Sequence, residues 1–462
     1  MTSIAIIGGG FSGLMSTVHI FKNAKTPVHL HIINSGNEFP RGVAYSTICD
    51  WHVLNVRAFN MSAFPDEPNH FINWLKHHPK YINANEDELI ISFIPRKIYG
   101  EYLISIWEKL QQEIKSSANS NVTVHHSSAV AAEFRNGKTE ISLDNNEKII
   151  ADKIILATGH SVPTQPDFIS DSVATSKFYF GNPWSKWENN FTEYEGDAFI
   201  IGSGLTMVDT VLSLLNKKFK GKIYFNSRHG LLPLSHQHFI KSEFLSLNDL
   251  PSPRLLDTIK IFRKWVKLFK SEGKPEFLAA DKFRAITQQI WRGWTLHEKK
   301  YFLRFLKTPW NVARHRIADE VFQTLDNAMK EGKLIYVPGK ITSVTENENG
   351  IAVQVSKNKN NIQIFRTTHL FNCTGPKDSY KNSTNPFIRS LINSGVAMHD
   401  DLDMGLKVAD NYAVKNSKGE TSDSIFTTGV VIKGSYWESF AVPDLRKQVK
   451  AVSENLVMSL SN

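Results

Sequence analysis

The chain opens with SIAIIGGGFSG (residues 3–13), a short apolar run followed at once by closely spaced glycines. The apolar run predicts a buried parallel strand, and the residues from Leu14 to Lys22 predict a helix. A strand, a glycine turn and a helix are the context that a dinucleotide-binding fingerprint requires. Gly8 would permit the tight turn, Gly10 the approach of a pyrophosphate and Gly13 close packing of the helix on the strand. The helix N-terminus would then offer free N–H groups to the anion.

A second version of this pattern occurs as AFIIGSGLTMVD (residues 198–209). An apolar strand again runs through a glycine turn into a helix, with Met207 in place of the third glycine. Taken alone, this copy is also compatible with an ordinary turn between a strand and a helix. Two copies in one chain favour two nucleotides, namely a flavin dinucleotide and the nicotinamide that reduces it.

Length and composition indicate a multidomain globular protein. The 462 residues exceed the roughly 250–300 at which a single core stops growing. No apolar run approaches the roughly 18 residues of a membrane span, and the short N-terminal run is expected to be a strand rather than a signal peptide. Cys49 and Cys373 lie outside any CxxC, which favours thiols in a reducing cytoplasm and removes a dithiol relay. The scattered histidines predict no metal site.

The net charge of +9 is concentrated in one segment. Residues 255–330 hold 16 Lys and Arg against 8 Asp and Glu, with helical rather than strand-like apolar spacing. We predict a basic helical insertion over about residues 236–330. Its charge could steer an anionic substrate or cofactor, or simply form a solvated face. Nucleic acid is not an expected partner, because no recognised binding motif accompanies the charge.

Residues after the second strand of each motif bear on the choice of nucleotide. The predicted strand Val28 to Ile33 is followed by Asn34, where an acid normally binds the adenosine ribose. Asparagine can still hydrogen-bond a ribose. The same offset in the second motif leads to Arg228, which would accommodate a 2′-phosphate and favours NADPH over NADH. The alternative is that Arg228 is a surface residue of a loop.

Strands and helices alternate along the first half, which predicts a doubly wound α/β architecture. KIILATGH (residues 153–160) and HLFNCTGP (residues 369–376) are near repeats, expected where the chain leaves and re-enters the first domain. We therefore predict two Rossmann-like domains: an FAD-binding domain split between residues 1–165 and 346–462, and an NAD(P)H-binding domain at residues 166–345 inserted in it.

These segments together resemble a bacterial FAD/NAD(P)-binding family related to class B flavin monooxygenases, some of whose members resemble amino-acid N-oxygenases and urate-hydroxylase-like proteins. The resemblance spans most of the chain. It is carried, in order, by GGGFSG, RGVAYST, LNVRAFNMSAFPDEP, FIPRKIYGEYL, ATGH, GSGLTMVD, SRHGLLP, RHRIA, NCTGP and YWESFAVPDLR.

One of these segments is similar to the Asn-x5-Met…Pro-Asp motif of flavin-containing monooxygenases. Asn55 is followed by Met61 and then by Phe64-Pro65-Asp66, with one residue more than usual before Pro-Asp. In those enzymes the asparagine lies beside the flavin ring and supports the oxygenated adduct, which makes Asn55 the catalytic candidate. The alternative is a loop asparagine that bonds the backbone.

The C-terminal segment resembles the end of an FAD domain. IFTTG (residues 425–429) is similar to its last strand, although Val430 stands where many flavoproteins have Asp. The resemblance implies that a helix from Asp444 directs its positive N-terminus at the flavin. A plain C-terminal helix with proline in its first turn is the alternative.

The motifs and the family resemblance together predict which residues contact the cofactors and the substrate. For FAD these are Gly8, Gly10, Phe11, Ser12, Gly13, Asn34, Arg41, Met61, Ser62, Val130, Ala157, Thr158, Gly159, Gly429 and Ala441. For NADPH they are Gly202, Ser203, Gly204, Leu205, Thr206 and Arg228. The candidates for holding a substrate carboxylate, or equally a cofactor phosphate, are Arg57, Arg96, Arg314 and Arg316.

The expected activity is that of an NADPH-dependent flavin monooxygenase. It would form a C4a-hydroperoxyflavin and use molecular oxygen to hydroxylate a small polar metabolite, most plausibly the nitrogen of an amine or amino acid. A second hypothesis is an NAD(P)H-dependent FAD oxidoreductase that reduces a quinone, flavin or other acceptor without oxygenation. A third is a nucleotide-binding or redox-sensing protein without catalysis, which the departures at Asn34 and Val430 keep open.

Overall fold

The computed structural model describes residues 1–36, 38–117, 120–135, 137–185, 187, 196–237, 243–358, 361–376 and 379–460. Its strands are β1 (Thr2–Ile7), β2 (Val28–Ile33), β3 (Asn121–His125), β4 (Ala129–Arg135), β5 (Lys138–Leu143), β6 (Lys148–Ala151), β7 (Lys153–Leu156), β8 (Tyr179–Phe180), β9 (Ala198–Ile201), β10 (Ile223–Asn226), β11 (Leu334–Tyr336), β12 (Lys340–Asn347), β13 (Gly350–Asn358), β14 (Asn361–Thr367), β15 (His369–Asn372), β16 (Ala413–Lys415) and β17 (Thr421–Thr427).

The helices are α1 (Phe11–Asn23), α2 (His70–Leu75), α3 (Glu86–Ile91), α4 (Arg96–Ser116), α5 (Asp171–Ala174), α6 (Leu205–Asn216), α7 (Leu255–Ser271), α8 (Leu278–Lys282), α9 (Thr287–Gly293), α10 (Leu296–Tyr301), α11 (Lys307–Arg314), α12 (Asp319–Lys330), α13 (Pro386–Asn393) and α14 (Val442–Met458). In the described part of the chain, none of them is long and apolar enough to cross a membrane.

The first sheet is built around the strand that opens the chain. Its order is β16-β17-β7-β1-β2-β3, and all neighbours are parallel except β16 and β17. Ile4 and Ile6 of β1 pack in one apolar cluster, while Ala5 and Ile7 pack in another. A strand covered on both faces reads as a continuous apolar run, which is why the sequence predicted it.

The second sheet repeats this plan around β9. Its order is β11-β10-β9-β15-β8, and every pair is parallel. Two smaller antiparallel sheets, β4-β5-β6 and β12-β13-β14, lie outside these parallel sheets. The predicted class of α/β protein with two Rossmann-like units is confirmed.

The strand pairing shows that the chain returns to the first sheet later than the predicted domain boundary. The return was expected at residues 345–346, but β12 and β13 on either side of that point pair with each other. The CTG strand β15 pairs with β9 in the second sheet. The return therefore follows residue 372. The ATG and CTG segments are near repeats because β7 and β15 occupy equivalent places in the two sheets.

The basic insertion is helical, as its apolar spacing predicted. Helices α7 to α11 follow one another through it, with an aromatic cluster in its interior. Trp291 of α9 stacks on Trp437, with ring centroids 4.8 Å apart, and its Nε1 donates to the Gly434 carbonyl at 2.8 Å. These contacts hold the insertion against the segment that precedes α14.

Candidate active site

The first glycine turn has the geometry that its sequence predicted. Gly8 has a φ of +112°, and a Cβ there would collide with the Ala157 carbonyl oxygen. A Cβ at Gly13 would collide with the Gly8 carbonyl oxygen, so only glycine lets α1 pack this close to β1. Gly10 is the N-cap of α1 and supplies no capping side chain. The N–H groups of the first helical turn therefore fit a bound diphosphate.

The second glycine turn is built in the same way. Gly202 has a φ of +123°, and a Cβ there would collide with the Cys373 carbonyl oxygen. Gly204 is the N-cap of α6, and a Cβ there would meet no heavy atom of the described residues within 4 Å. Met207, in place of the third glycine, is buried in the apolar core. This turn also fits a diphosphate.

Asn34 lies against the first glycine turn. The Gly9 amide donates to Asn34 Oδ1 at 3.0 Å, and Asn34 Nδ2 donates to the Gly36 carbonyl at 2.7 Å. These bonds fix the loop after β2. The amide retains one acceptor site and one N–H, which are the groups that a ribose hydroxyl could use.

Arg228 lies in an exposed loop after β10. Ser203 Oγ donates to the Leu231 carbonyl at 2.7 Å, which ties this loop to the second glycine turn. Arg228 therefore lies in a loop that could contact the 2′ position of a nucleotide bound at that turn. Recognition of a 2′-phosphate by Arg228 stays a prediction.

A cleft of about 210 Å³ lies where the two parallel-sheet units and the helical insertion meet. It is lined by Ala44, Tyr45, Leu54, Asn55, Val56, Met61, Arg96, Leu205, His236, Arg284, Arg314, His315, Arg316, Glu438, Phe440, Ala441, Val442 and Asp444. Seven of the residues selected from the sequence are among them: Asn55, Met61, Arg96, Leu205, Arg314, Arg316 and Ala441.

Asn55 is anchored in this cleft through its backbone. His236 Nε2 donates to the Asn55 carbonyl oxygen at 3.0 Å. Burial, reinforced by the charge of Arg316, lowers the pKa of His236 to about 3, so its ring is neutral at physiological pH. Met61 is buried beside the cleft with 2% of its surface exposed. Asn55 itself lines the cleft, and this contact uses its backbone rather than its side-chain amide.

The N-terminus of α14 forms another wall. The helix begins at Val442 rather than at Asp444, with Ala441 as an N-cap that makes no side-chain hydrogen bond within the described residues. Gly429, with a φ of +79°, donates its N–H to Gln448 Oε1 at 2.7 Å, which fixes the end of β17 to this helix. The positive end of the helix dipole is therefore directed toward the cleft.

Arg96 links the two parallel-sheet units. Its Nη1 donates to Asp209 Oδ2 of α6 at 2.9 Å, and its Nε donates to the Val53 carbonyl at 3.0 Å. Both ionic side chains are nearly buried, with 11% and 8% of their surfaces exposed. A guanidinium already held by a protein carboxylate makes Arg96 a structural connection between α4 and α6.

The other arginines selected from the sequence also contact protein groups. Arg316 Nη2 donates to both Asp281 oxygens at 2.8 and 2.6 Å, and Arg314 Nε lies 3.0 Å from Glu438 Oε2. Arg57 lies outside the lining of the cleft and donates to the carbonyls of Ile91 and Gln237.

A protein family described as FAD-NAD(P)-binding matches residues 5–161. This segment is an FAD-NAD(P)-binding domain. It contains the first glycine turn, Asn34, Asn55 and the ATG strand, so the motif-based prediction of a dinucleotide site is confirmed at the level of the domain.

Three solved structures have the same fold over nearly the whole chain. The reduced ornithine hydroxylase of Pseudomonas aeruginosa is 12% identical, with 99% of each chain covered and a TM-score of 0.65. The ornithine N-hydroxylase of Kutzneria sp. 744 is 14% identical, with 100% of this chain and 99% of that chain covered and a TM-score of 0.65. The L-lysine 6-monooxygenase of Pseudomonas syringae is 14% identical, with 99% of each chain covered and a TM-score of 0.65. No curated protein matches the sequence.

The remaining residues of the FAD-NAD(P)-binding domain that were predicted to contact FAD lie outside the cleft of Asn55, in several different places. Arg41 lines a neighbouring cleft of about 240 Å³ together with Thr206, whereas Thr158 and Gly159 line another of about 120 Å³. The Ser62 hydroxyl donates to the carbonyls of Phe64 and Glu67 and shapes that turn. Phe11 and Ser12 begin α1, and half-buried Val130 lies in β4.

Eleven of the eighteen cleft residues were absent from the sequence-based selection, and five of them have charged or imidazole side chains. These five are His236, Arg284, His315, Glu438 and Asp444. His315 and Glu438 lie inside quoted family segments, RHRIA and YWESFAVPDLR, so those segments carried a usable signal. Arg284 lies in the helical insertion outside any motif, and only the folding of α7 to α11 brings it to the cleft.

The described residues contain no group of three or more His, Cys, Asp or Glu side chains placed to hold a metal. Cys49 and Cys373 are buried free thiols, and burial raises the pKa of Cys373 to about 12. A buried thiol with a raised pKa is a poor nucleophile. Neither cysteine is placed for thiol chemistry at the cleft.

Proposed function

We propose that the protein is an NADPH-dependent flavin monooxygenase that hydroxylates the nitrogen of a small amine or amino acid. The observation that carries the proposal is the 210 Å³ cleft in which Asn55, Leu205 at the start of α6 and the N-terminus of α14 converge. A cleft shared by two dinucleotide-binding units can hold a substrate, a flavin ring and a nicotinamide against one another.

The two glycine turns would hold the cofactors. The turn at Gly8 to Gly13 would bind the FAD diphosphate, with Asn34 at the ribose, and the turn at Gly202 to Gly204 would bind that of NADPH, with Arg228 at the 2′-phosphate. Bound FAD would supply hydride acceptance from NADPH and the reaction of reduced flavin with molecular oxygen.

The chain's own groups would position the reaction and exclude water. The Asn55 amide can donate and accept hydrogen bonds at the cleft wall, while its backbone is held by His236. Met61, Tyr45 and Leu54 contribute apolar surface that limits access by water. The dipole of α14 would stabilise negative charge on a flavin ring beside it.

Structural relatives support an amine as the substrate class. Several solved structures of similar fold are described as ornithine, lysine and cadaverine hydroxylases or monooxygenases. A thioredoxin reductase has a related fold with a TM-score of 0.54, but the two buried cysteines here offer no dithiol relay. Free thiols also favour a reducing cytoplasmic location for this chain.

The test is to reconstitute the protein with FAD and supply NADPH, oxygen and a panel of amines and amino acids. We expect one class of amine to accelerate NADPH consumption and to yield a product heavier by one oxygen atom, measured by mass spectrometry. Reduction of a quinone with no hydroxylated product from any amine would instead establish the oxidoreductase alternative. No FAD binding and no NADPH oxidation would contradict both.

A further inference from the structure

Buried guanidinium nitrogens without partners are concentrated in the cleft that holds Asn55. The cleft holds Nε and Nη1 of Arg316, Nε of Arg284 and Nε of Arg314, whereas Nε of Arg41 and Nε of Arg446 lie outside it. None of them has a hydrogen-bond partner in the part of the chain that the structure describes. Arg316 is only 4% exposed, and it lines the cleft together with Arg284 and Arg314.

The nearby carboxylates do not satisfy these donors. Asp281 accepts from Nη2 of Arg316 and, at 3.2 Å, from Nη2 of Arg284. Glu438 Oε1 accepts from Trp310 Nε1 at 2.7 Å, while its Oε2 lies 3.0 Å from Arg314 Nε without hydrogen-bonding geometry. The free side of each guanidinium is thus left for another acceptor.

Three acidic side chains lie at the cluster. Asp281 pairs with Arg316, Glu438 and Asp444 line the cleft, and burial raises the pKa of Asp444. Burial, reinforced by the charge of Arg314, lowers the pKa of Arg284 to about 10. Burial lowers the pKa of His315 to about 4, so its neutral ring adds no charge.

Buried charged donors are normally hydrogen-bonded, since an unmade bond leaves the full desolvation penalty. We propose that Arg316, with Arg284 and Arg314, forms a carboxylate-binding subsite that selects an amine substrate bearing an acidic group. The substrate assignment rests on the monooxygenase function proposed above, whereas the anion subsite does not. A guanidinium binds a carboxylate through paired hydrogen bonds, whereas a diamine without a carboxylate would leave these donors unpaired and add further positive charge beside them.

Cofactor phosphates are a competing source of the same anion chemistry. The glycines of both turns lie outside the lining of this cleft, which separates the arginine cluster from the expected diphosphate sites. Asn55 and the start of α14 share the cleft with the cluster, which places the subsite beside the expected reaction centre. Binding experiments on the FAD-loaded protein separate a carboxylate from a cofactor.

The first experiment measures binding of glutarate, 1,5-pentanediol and cadaverine to the FAD-loaded protein by calorimetry. We expect glutarate to bind, the diol and the diamine to bind at least tenfold more weakly, and Arg316→Gln to weaken glutarate binding at least tenfold. Arg292→Gln, an exposed arginine of the same insertion, should bind glutarate as the wild type does. Equal glutarate binding by Arg316→Gln, or no preference for glutarate in the wild type, would overturn the proposal.

A second variant separates binding from folding. Arg316→Gln leaves Asp281 with one arginine fewer, so Arg316→Gln/Asp281→Asn removes both charges of that ion pair. The subsite predicts a double variant that folds and binds FAD and NADPH but not glutarate. A purely structural role predicts that glutarate binding returns with folding. Loss of FAD or NADPH affinity with glutarate binding intact would assign the arginines to a cofactor and refute the proposal. Because glutarate binding needs no turnover, it remains informative even if no amine is hydroxylated.

Discussion

At the scale of single residues, Gly202 and Gly204 show how neighbouring glycines serve different purposes. Gly202 has a φ of +123° and faces the Cys373 carbonyl, so any side chain there is both strained and obstructed. Gly204 has a φ of −86°, which any residue adopts, and space for a Cβ. The first glycine is needed by the fold, whereas we expect the second to serve a ligand that approaches the backbone.

This contrast predicts different outcomes for two alanine substitutions. Gly204→Ala should fold as the wild type does, retain FAD and weaken NADPH binding about tenfold, because its methyl group would project where the diphosphate approaches. Gly202→Ala should lose at least about 2 kcal/mol of unfolding free energy from strain and collision. Thermal unfolding, FAD absorbance and NADPH titration measure the three quantities. Unaltered NADPH affinity in Gly204→Ala would show that the second turn is not the NADPH site.

Substitution of Asn55 should change the coupling of NADPH oxidation to substrate hydroxylation rather than the stability of the protein. Asn55→Ala removes the amide but keeps the backbone carbonyl that accepts from His236, so the loop should stay in place. We expect NADPH oxidation to continue while hydroxylated product per NADPH falls roughly 10²-fold, the scale for losing one positioned hydrogen-bonding group. Product and peroxide are measured together, because oxygen that is not transferred to substrate should appear as peroxide.

The control for Asn55→Ala is its unfolding temperature, which should match that of the wild type. Unchanged coupling in a correctly folded variant would assign Asn55 to the backbone-bonding role that its sequence also allowed. An equal loss of NADPH oxidation and of product would place Asn55 in cofactor binding instead.

At the scale of elements, one buried ion pair connects α4 to α6. Arg96 begins α4, and Asp209 lies in the first turns of the helix that follows the second glycine turn. His52 Nε2 also lies 2.9 Å from the Asp209 carbonyl and 3.1 Å from Ser213 Oγ on the same helix. These contacts fix α6, and with it the expected nicotinamide site, relative to the loop that carries Asn55.

Breaking this pair from one side should be costly. Asp209→Asn leaves the Arg96 charge nearly buried without its ionic partner, so we expect a loss of about 3 kcal/mol in unfolding free energy. The double variant Arg96→Gln/Asp209→Asn should lose less than the sum of the two single variants. Urea unfolding of all four proteins measures this coupling energy. Additive losses would show that the two side chains do not interact energetically.

Local sequence patterns predicted elements better than their assignment to sheets. The apolar strand β1 and the glycine turn after it are local, and the structure has both where they were expected. The CTG strand was also predicted, but the sheet that it joins was not. The segments KIILATGH and HLFNCTGP have nearly the same sequence pattern, so the pattern does not tell the two sheets apart. Only the pairing of β15 with β9, two distant segments, decides which sheet it joins.

At the scale of the whole molecule, the difference between local sequence patterns and contacts of distant segments explains which site residues could be predicted. Asn55, Met61 and Ala441 lie in segments with a family pattern, and all three line the cleft. Arg284 reaches it only because the insertion packs through Trp291 onto Trp437 near the C-terminus. No short pattern encodes a contact between such distant segments, so the composition of the arginine cluster required the fold.

Buried and half-buried neutral histidines in several parts of the molecule should make its stability sensitive to acid. Burial lowers the pKa of His19, His315 and His369 to about 4, and that of His236 to about 3. In the unfolded chain histidine takes up a proton near pH 6.5. Between pH 6.5 and about 4, the unfolded state therefore binds more protons than the folded state. Folding stability is lost as pH falls through this window.

Two buried acids act in the opposite direction. Burial raises the pKa of Asp400 to about 6 and also raises that of Asp444, so in the same window the folded state holds protons that the unfolded state has released. These two groups offset part of the effect of the four histidines. With about 1.4 kcal/mol for each pKa unit, we expect a net loss of roughly 5 kcal/mol between pH 7 and pH 5. Urea unfolding at the two pH values and equal ionic strength measures it.

The variant His369→Gln tests whether a buried histidine causes part of this pH dependence of stability. His369 is 1% exposed, and burial alone lowers its pKa, so glutamine should remove one protonation from the unfolded state without adding charge to the core. Altered packing can lower the overall stability of the variant, but its stability should depend less steeply on pH between 7 and 5. A slope equal to that of the wild type would show that His369 titrates alike in both states. Greater stability at pH 5 than at pH 7 in the wild type would mean that the buried acids outweigh the histidines.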